Sequence, residues 1–497
     1  MPRKKERKRS RCNQALRRRR RRRVLDTNAD QFRKLQQWLL PNEGIFAQFK
    51  FHGNTGWLPS SLVCLALCWS WSECNNVTDA FAQAVEWCGS MTGSAAHTTY
   101  QGFMGALVRW TDQFLCVLWP VLHVRMQEVG GKLWMVHGWT PIAFDGSRST
   151  AARSKSNENT FCAPNYGHGK TAKYRKKKSK GLRRTKNEKS KPQAQEPQAW
   201  ITMLWHMSLR LPWMWKLGPS NSSERGHVMD MLRKGIFSVR TLFCGDAGFV
   251  GYPLWAEIAG QGMHFLVRVG ANVKLLTERT DCTIQRRKGI VLCWPLAAQQ
   301  ANLQPLRLRL VRVRIGRQWM WMLTNVMKPS WLTPKQIASF YKMRWGIEVE
   351  FRGLKQTLGC GKLRCRNGHR LLAELNWSIM AMAVAELFAL KEQLTPTASE
   401  SAPKNFQPDA KKRSLANTMR AIRHCLTHLK DIPLPDNDLR SRLRRAVTDS
   451  YIRKSSKRAR YRPPNPDKKP LGDPKIRRLT PQEQKKLNAL TATKSVA

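Results

Sequence analysis

The chain has 497 residues, with 88 Lys+Arg against 33 Asp+Glu, a formal net charge of +55. Hydrophobic residues make up 41% and include 20 Trp, enough for sizeable cores, so a fully disordered chain is excluded. An acidic enzyme that handles cations is excluded too: this charge calls for an anionic partner, first the phosphates of nucleic acid, with a membrane surface as the weaker alternative.

The length fits two to four domains at roughly 100–200 residues each. No run of roughly 18 apolar residues is present, and the longest candidate, Ser61 to Trp71, is too short to span a bilayer. No apolar segment follows Met1-Pro2-Arg3-Lys4-Lys5, so a secretory signal is not expected. The 13 cysteines are irregularly spaced. Cys64, Cys68, Cys88 and Cys116 read as reduced core thiols, which suits a cytoplasmic, reducing compartment.

Residues 1–23 form a disordered basic arm ending in seven arginines, Arg17 to Arg23, either laid along phosphates or simply solubilising. Residues 24–130 read as an all-α unit of about five helices, with apolar residues at helical spacing in Phe32–Leu40, Leu58–Trp71, Val77–Trp87 and Phe103–Leu118. This unit is the candidate DNA-end-binding domain. The turn from Ser94 to Tyr100 is either an ordinary helix cap or part of a helix-turn-helix reader.

From Lys132 the pattern changes. Leu133–Val136 and Thr140–Phe144 read as short strands, the second ending at Asp145-Gly146-Ser147, followed by a basic loop insertion over 148–198. A hairpin is expected over Trp200–Leu209 and Leu211–Leu217, with Pro212 at a bend or edge. A helix capped by Ser222-Ser223-Glu224 runs to Lys234, and Arg240–Cys244 is a strand ending in Gly245-Asp246-Ala247-Gly248. A short helix over about Pro253–Gly260 and a strand over His264–Val269 complete an α/β mixed sheet. Residues 272–326 alternate like β, with strands at Thr283–Arg286, Ile290–Trp294, Leu306–Val313 and Trp319–Asn325, and read as an inserted antiparallel sheet with a basic face. A helix follows over Leu371–Glu392. Residues 393–497 read as a helical segment at about Ser414–Leu429 and a second disordered basic tail.

The densest information lies between Thr333 and Gly359. Thr333-Pro334-Lys335-Gln336 has the form of a capping box with Pro at N1, and Gly359 marks the end of one long helix. With Tyr341 at zero, Arg344, Glu348 and Lys355 fall at roughly −60°, −20° and −40°, beside an apolar stripe of Phe340, Ile347, Phe351, Leu354 and Leu358. Glu350 falls about 180° away. Alone, this band reads as a surface ladder, since Arg344 and Glu348 are an i,i+4 pair. Two further carboxylates, Asp145 and Asp246, stand at strand ends. Three such groups in so basic a chain form a compact acidic cluster suited to Mg²⁺ or Mn²⁺. Two such ions clamp the attacking and leaving oxygens of a phosphodiester.

The spacing Tyr341-x2-Arg344-x3-Glu348-x6-Lys355 resembles the Tyr-Arg-Glu-Lys signature of bacterial insertion-sequence transposases of family four, which are DDE enzymes with a ribonuclease-H-like catalytic domain. The phrases Phe144-Asp145-Gly146-Ser147, Gly245-Asp246-Ala247-Gly248-Phe249 and Leu323-Thr324-Asn325 are also similar to that family, over about residues 130–392. The resemblance implies that Asp145, Asp246 and Glu348 are the catalytic, metal-binding triad, with two ions per site, and that residues 131–392 are the catalytic domain. It implies that Tyr341, Arg344 and Lys355 contact DNA phosphates, and that Trp345, with Trp319 or Trp321, stacks on a flipped base; core packing is the competing reading for all three Trp. It further implies double-stranded DNA partners (terminal inverted repeats and target), cut-and-paste transposition through a freed 3′-hydroxyl, a homodimer in the synaptic complex, no membrane, and a bacterial, nucleoid-associated location. Two alternatives stay open: an inactive transposase-derived DNA-binding protein, and a ribonuclease-H-like nuclease that cuts without joining. Cys360-x4-Cys365-x3-His369 has half the form of a zinc site but lacks a fourth ligand. His227 reads as structural.

Overall fold

The structure, a computed structural model, describes residues 26–51, 58–92, 99–161, 196–219, 222–278, 289–316, 318–395, 410–434, 436–448 and 471–495. The basic arm, most of the turn from Ser94, and the strand expected at Thr283–Arg286 lie outside the described residues. The N-terminal helices are α1 (Asn28–Leu39), α2 (Pro59–Trp71), α3 (Val77–Thr92) and α4 (Tyr100–Gly130), with a 3₁₀ turn at Glu43–Phe46. Thr27 caps α1 in a reciprocal box with Asp30, and Thr99 caps α4 through the Gly102 N–H.

The sheet begins with β1 (Thr140–Thr150), followed by a short helix α5 (Lys155–Phe161), β2 (Gln198–His206), β3 (Leu211–Gly218) and α6 (Glu224–Lys234). Then come β4 (Thr241–Gly245), α7 (Tyr252–Gly260), β5 (His264–Val269), β6 (Lys274–Thr277), β7 (Gly289–Cys293), α8 (Leu296–Gln300), β8 (Leu306–Ile315) and β9 (Gln318–Thr324). The remaining elements are α9 (Pro334–Arg344), α10 (Gly346–Gln356), α11 (Gly368–Leu394), α12 (Leu415–Thr427), α13 (Leu439–Arg444), β10 (Lys475–Arg478) and α14 (Pro481–Ser495).

Among the described residues, ten strands join one sheet in the order β10-β6-β7-β8-β9-β5-β4-β1-β2-β3. β1, β2 and β3 form an antiparallel meander, while β4 and β5 run parallel to β1. The 3-2-1-4-5 order with helices on the faces is the ribonuclease-H-like arrangement within a mixed α/β fold, preceded by the helical N-terminal region. Pro212 lies on the edge strand β3, opposite Trp205 at a bulge, where a missing N–H costs no ladder bond.

Several expectations change. Leu133–Val136 is not a strand: a 3₁₀ turn covers Gly131–Leu133, and Val136 makes only an isolated bridge to Trp139. β1 does not stop at Phe144 but runs through Asp145 to Thr150, because β2 pairs with it along that whole length. The 148–198 segment therefore begins as strand and short helix rather than loop. The strands of 272–326 do not make a separate sheet. β9 pairs antiparallel with β5, Leu266 opposite Thr324 and Val269 opposite Trp321, and carries the main sheet onward. The C-terminal tail closes the far edge: β10 pairs parallel with β6, and α14 packs Leu487 and Leu490 on the Leu276–Leu292–Trp294 cluster. Arg477 and Thr480 both bond Glu483, whose carboxyl is held down at about 2, first by Arg477.

The spine of the molecule is α11. It is long and apolar enough to cross a bilayer by length and composition, yet 94% of its most apolar window is buried inside the protein. Glu374, Asn376 and Glu386 interrupt its apolar run, so counting consecutive residues passes over it. Its tryptophan and amide contacts tie the helical unit to the sheet: Trp377 Nε1 donates to Thr111 Oγ1 at 2.9 Å, Trp71 Nε1 to the Ala381 carbonyl at 3.0 Å, and Trp215 Nε1 to Asn376 Oδ1 at 2.9 Å. The buried side chains of both regions form one continuous core.

Candidate active site

Backbone register brings the first two carboxylates together. β1 and β4 are parallel, with Ala143 opposite Cys244, so Asp145 and Asp246 stand at the same offset on neighbouring strands, about 5 Å apart in the pairing direction. Asp145 Oδ1 accepts from the Gly146 N–H at 2.8 Å, and Asp246 Oδ1 from the Gly248 N–H at 2.7 Å, so backbone amides aim both groups.

The third carboxylate arrives on a jointed helix. The capping box at Thr333 and Gln336 forms as the sequence predicts, but the helix is not continuous. It breaks at Trp345, where α9 ends and α10 begins. Gly346 explains how the joint packs: a Cβ there would fall 2.2 Å from the Trp205 ring, so only glycine lets the joint seat on β2. Glu348 then lies in the first turn of α10.

Arg344 links the two sides. Its Nη1 is 3.4 Å from Asp145 Oδ2 and its Nη2 is 3.6 Å from Glu348 Oε1. Its side chain is 5% exposed, and its guanidinium lies 5.3 Å from the Tyr341 ring centroid and 5.9 Å from that of Trp345. Two aromatic rings thus hold one cation against two carboxylates. Asp145, Glu348 and Lys355 line one cleft of about 290 Å³, together with Gly146, Phe351 and Arg352. Arg352 and Phe351 enter the site though the sequence reading gave them no role there. Glu350 is buried away from the cleft, beside Glu386 and Arg413.

A fourth carboxylate was not foreseen. Glu224, the first residue of α6, lies against the Gly146 backbone: a Cβ on Gly146 would sit 2.2 Å from Glu224 Oε1. Burial pushes its carboxyl up to about 7, and Asp145 and Asp246 push in the same direction. Burial likewise raises Asp145 to about 6; the Gly146 N–H and Arg344 oppose this, while Asp246 and Glu348 add to it. In sequence, Glu224 is indistinguishable from an ordinary first-turn acid after a serine cap.

The donor set is oxygen only, as hard divalent cations require. Glu348 is half exposed at the mouth of the cleft. These residues therefore fit Mg²⁺ or Mn²⁺. Among the described residues, the only three metal-type ligands within 4.8 Å of one another are Cys64, Cys68 and Cys88, so the carboxylates stand wider, with Arg344 between two of them.

The other sequence candidates separate. Lys355 reaches the cleft, and partial burial lowers its pKa. Tyr341 is 2% exposed and lies behind Arg344. Trp345 and Trp319 are 52% and 57% exposed, whereas Trp321 is buried and donates to Asp473 Oδ1 at 2.8 Å. Core packing thus describes Trp321 but not Trp319. Cys360 and Cys365 are buried thiols, and the Cys365 N–H donates to Glu374. Cys64, Cys68 and Cys88 are free and buried as expected, but Cys116 is exposed. His227 is buried, with Nδ1 3.0 Å from Thr202 Oγ1, as a structural histidine would be.

No curated protein matches the chain. Among solved structures, the chain is similar to one described as the cryo-EM structure of a piggyBac transposase synaptic complex with hairpin DNA, at 12% identity and a TM-score of 0.38, over 87% of this chain and 88% of that one. The family model described as Transposase DDE domain matches residues 142–384, the segment that holds Asp145, Asp246 and Glu348. The central part of the chain is therefore similar to a DDE transposase domain.

Proposed function

We propose that this protein is an insertion-sequence transposase of family four, which binds terminal inverted repeats, cleaves DNA and joins the freed 3′-hydroxyl to target DNA. The observation that supports this most is that Arg344 joins Asp145 to Glu348 while parallel pairing sets Asp246 beside Asp145 on the neighbouring strand. Asp145, Asp246 and Glu348 would hold two divalent ions, which when bound supply a polarised phosphate and an activated nucleophile. The remaining work falls to the chain's own groups. Arg344 and Lys355 bind non-bridging phosphate oxygens beside the cut, with Tyr341 bracing the Arg344 guanidinium from behind. Trp345 and Trp319 offer exposed faces on which an unstacked base can rest, and Trp321 supports the strand from which Trp319 projects. The DNA-engaged form is a homodimer, one chain per element end, acting in the bacterial cytoplasm at the nucleoid.

The test uses purified protein, Mg²⁺ and the DNA flanking its own gene, with wild type and Glu348→Ala compared on a denaturing gel. Cleavage at element ends by wild type alone, with strand-transfer products, is the expected result. Cleavage without joined products would assign a nuclease instead. Binding without cleavage by both would assign an inactive DNA-binding descendant.

A further inference from the structure

Outside the catalytic domain, α12 and α13 enclose a second charged feature. A cleft of about 390 Å³ between them is lined by Arg420, His424, Arg442 and Arg445, with Asn417 at its rim. Ala421 and Ala446 also line it, and both are buried, so small side chains leave room beneath the cations.

The arginines of this module fall into two classes. Arg413, Arg423 and Arg440 each face a carboxylate, from Glu386, Glu73 and Glu392. Arg420, Arg442 and Arg445 have none among the described residues and rest on neutral acceptors. Arg420 donates to Asn417 Oδ1 at 2.6 Å, and Arg445 to the Asp436 carbonyl at 2.5 Å. Arg442 donates to the Asn437 carbonyl at 2.9 Å and to His424 Nε2 at 2.8 Å, which fixes that nitrogen as the acceptor of a neutral ring. Neutral oxygens orient the guanidiniums without cancelling their charge. Three like charges around one cleft repel each other, and an anion that bridges them removes the repulsion.

The module sits directly on the catalytic helix. Leu415 packs where a Cβ on Gly353 of α10 would be, and Arg423 donates to the Thr357 carbonyl at the end of the same helix. Charges on α12 are thus held in fixed relation to Glu348 and Lys355.

We propose that the Arg420–Arg442–Arg445 cleft is a second phosphodiester-binding site, which grips the backbone of duplex DNA away from the point of cleavage. The proposal rests on the reading of the chain as a DNA-cutting protein. The site reads no sequence, since guanidiniums on phosphates position a duplex without contacting base edges.

The test measures binding of a fluorescent duplex of arbitrary sequence, in EDTA so that cleavage plays no part, across a salt series. The full chain is compared with the triple variant Arg420→Gln/Arg442→Gln/Arg445→Gln. Each lost phosphate contact reduces the slope of log K against log salt by about 0.9, so the triple variant should lose about 2–3 from the slope and bind at least about tenfold more weakly near 0.1 M salt. Wild-type slope and affinity in the triple variant would overturn the proposal. To separate charge from folding, the triple Arg→Lys variant should recover most of the slope; equal loss in both triple variants would also overturn it. Because no metal is present, failure of the cleavage reading and failure of this site give different results.

Discussion

Arg344 Nη1 lies 3.4 Å from Asp145 Oδ2, and this contact holds a largely buried carboxylate partly ionised before any metal arrives. Burial raises Asp145 to about 6 and Arg344 works against that rise. Metal binding needs the ionised form, so cleavage should fall as pH drops through about 6. In Arg344→Ala the opposing cation is gone, and this acid limb should move to higher pH while the rate falls by about 10²–10³. Arg344→Lys should keep part of the shift. A pH–rate profile measured at limiting Mg²⁺, where proton and metal compete for the carboxylate, checks this; an unmoved acid limb in Arg344→Ala would remove Arg344 from control of Asp145.

Glu224 brings a fourth negative group to the same place. Its folded pKa of about 7 lies above the unfolded value near 4.5, so the folded state holds the extra proton between those values. The stability from this group is present below about 4.5 and is lost as pH rises through 7. Metal-free Glu224→Gln should therefore melt higher than wild type at pH 8, and its melting temperature should depend less on pH between 5 and 7. If Glu224 also helps to attract the ions, half-maximal Mg²⁺ in the variant should rise by about 10-fold, the scale of outer-sphere changes at metal sites. Calorimetric melting and a metal titration read the two effects separately. Unchanged values in both would make Glu224 a simple helix-terminal acid.

The joint between α9 and α10 depends on Gly346. Gly346→Ala forces a methyl to within 2.2 Å of the Trp205 ring, which is fully buried on β2 and has nowhere to retreat. We expect about 1–3 kcal/mol of destabilisation from overpacking, and a larger fractional loss of cleavage than of DNA binding, because Glu348 is two residues away. Urea denaturation with a parallel binding assay measures it. A variant as stable and as active as wild type would show that the joint does not depend on glycine.

His206 is entirely buried, accepts the Leu209 N–H at Nδ1, and is held neutral, with its pKa pushed down to about 3 chiefly by burial. The unfolded chain takes up this proton below about 6.5 while the folded chain does not. Stability from this residue is therefore present above 6.5 and drains away as pH falls toward 3. His206→Gln should flatten the stability profile between pH 6.5 and 4, even if it lowers stability at neutral pH. Chemical denaturation at several pH values tests this, and parallel profiles for the two proteins would assign the acid sensitivity elsewhere.

The sequence by itself determined much of the local structure. The Thr333–Gln336 capping box, the strand His264–Val269 and the core of the α11 helix follow from contacts within a few residues, where hydrogen-bond partners and apolar spacing are already adjacent in the chain. Tertiary structure alone decided the rest. Thr150 is strand because Gln198 lies opposite it. The break at Trp345 seats Gly346 directly on the Trp205 ring. Residues 475–478 are strand because β6 offers an open edge. Glu224 belongs to the site because α6 packs its first turn on Gly146, and α11 is a buried core helix because the elements around it cover its apolar window. Each of these outcomes turns on groups far apart in the chain meeting in a densely packed interior, and such meetings leave no local pattern to read.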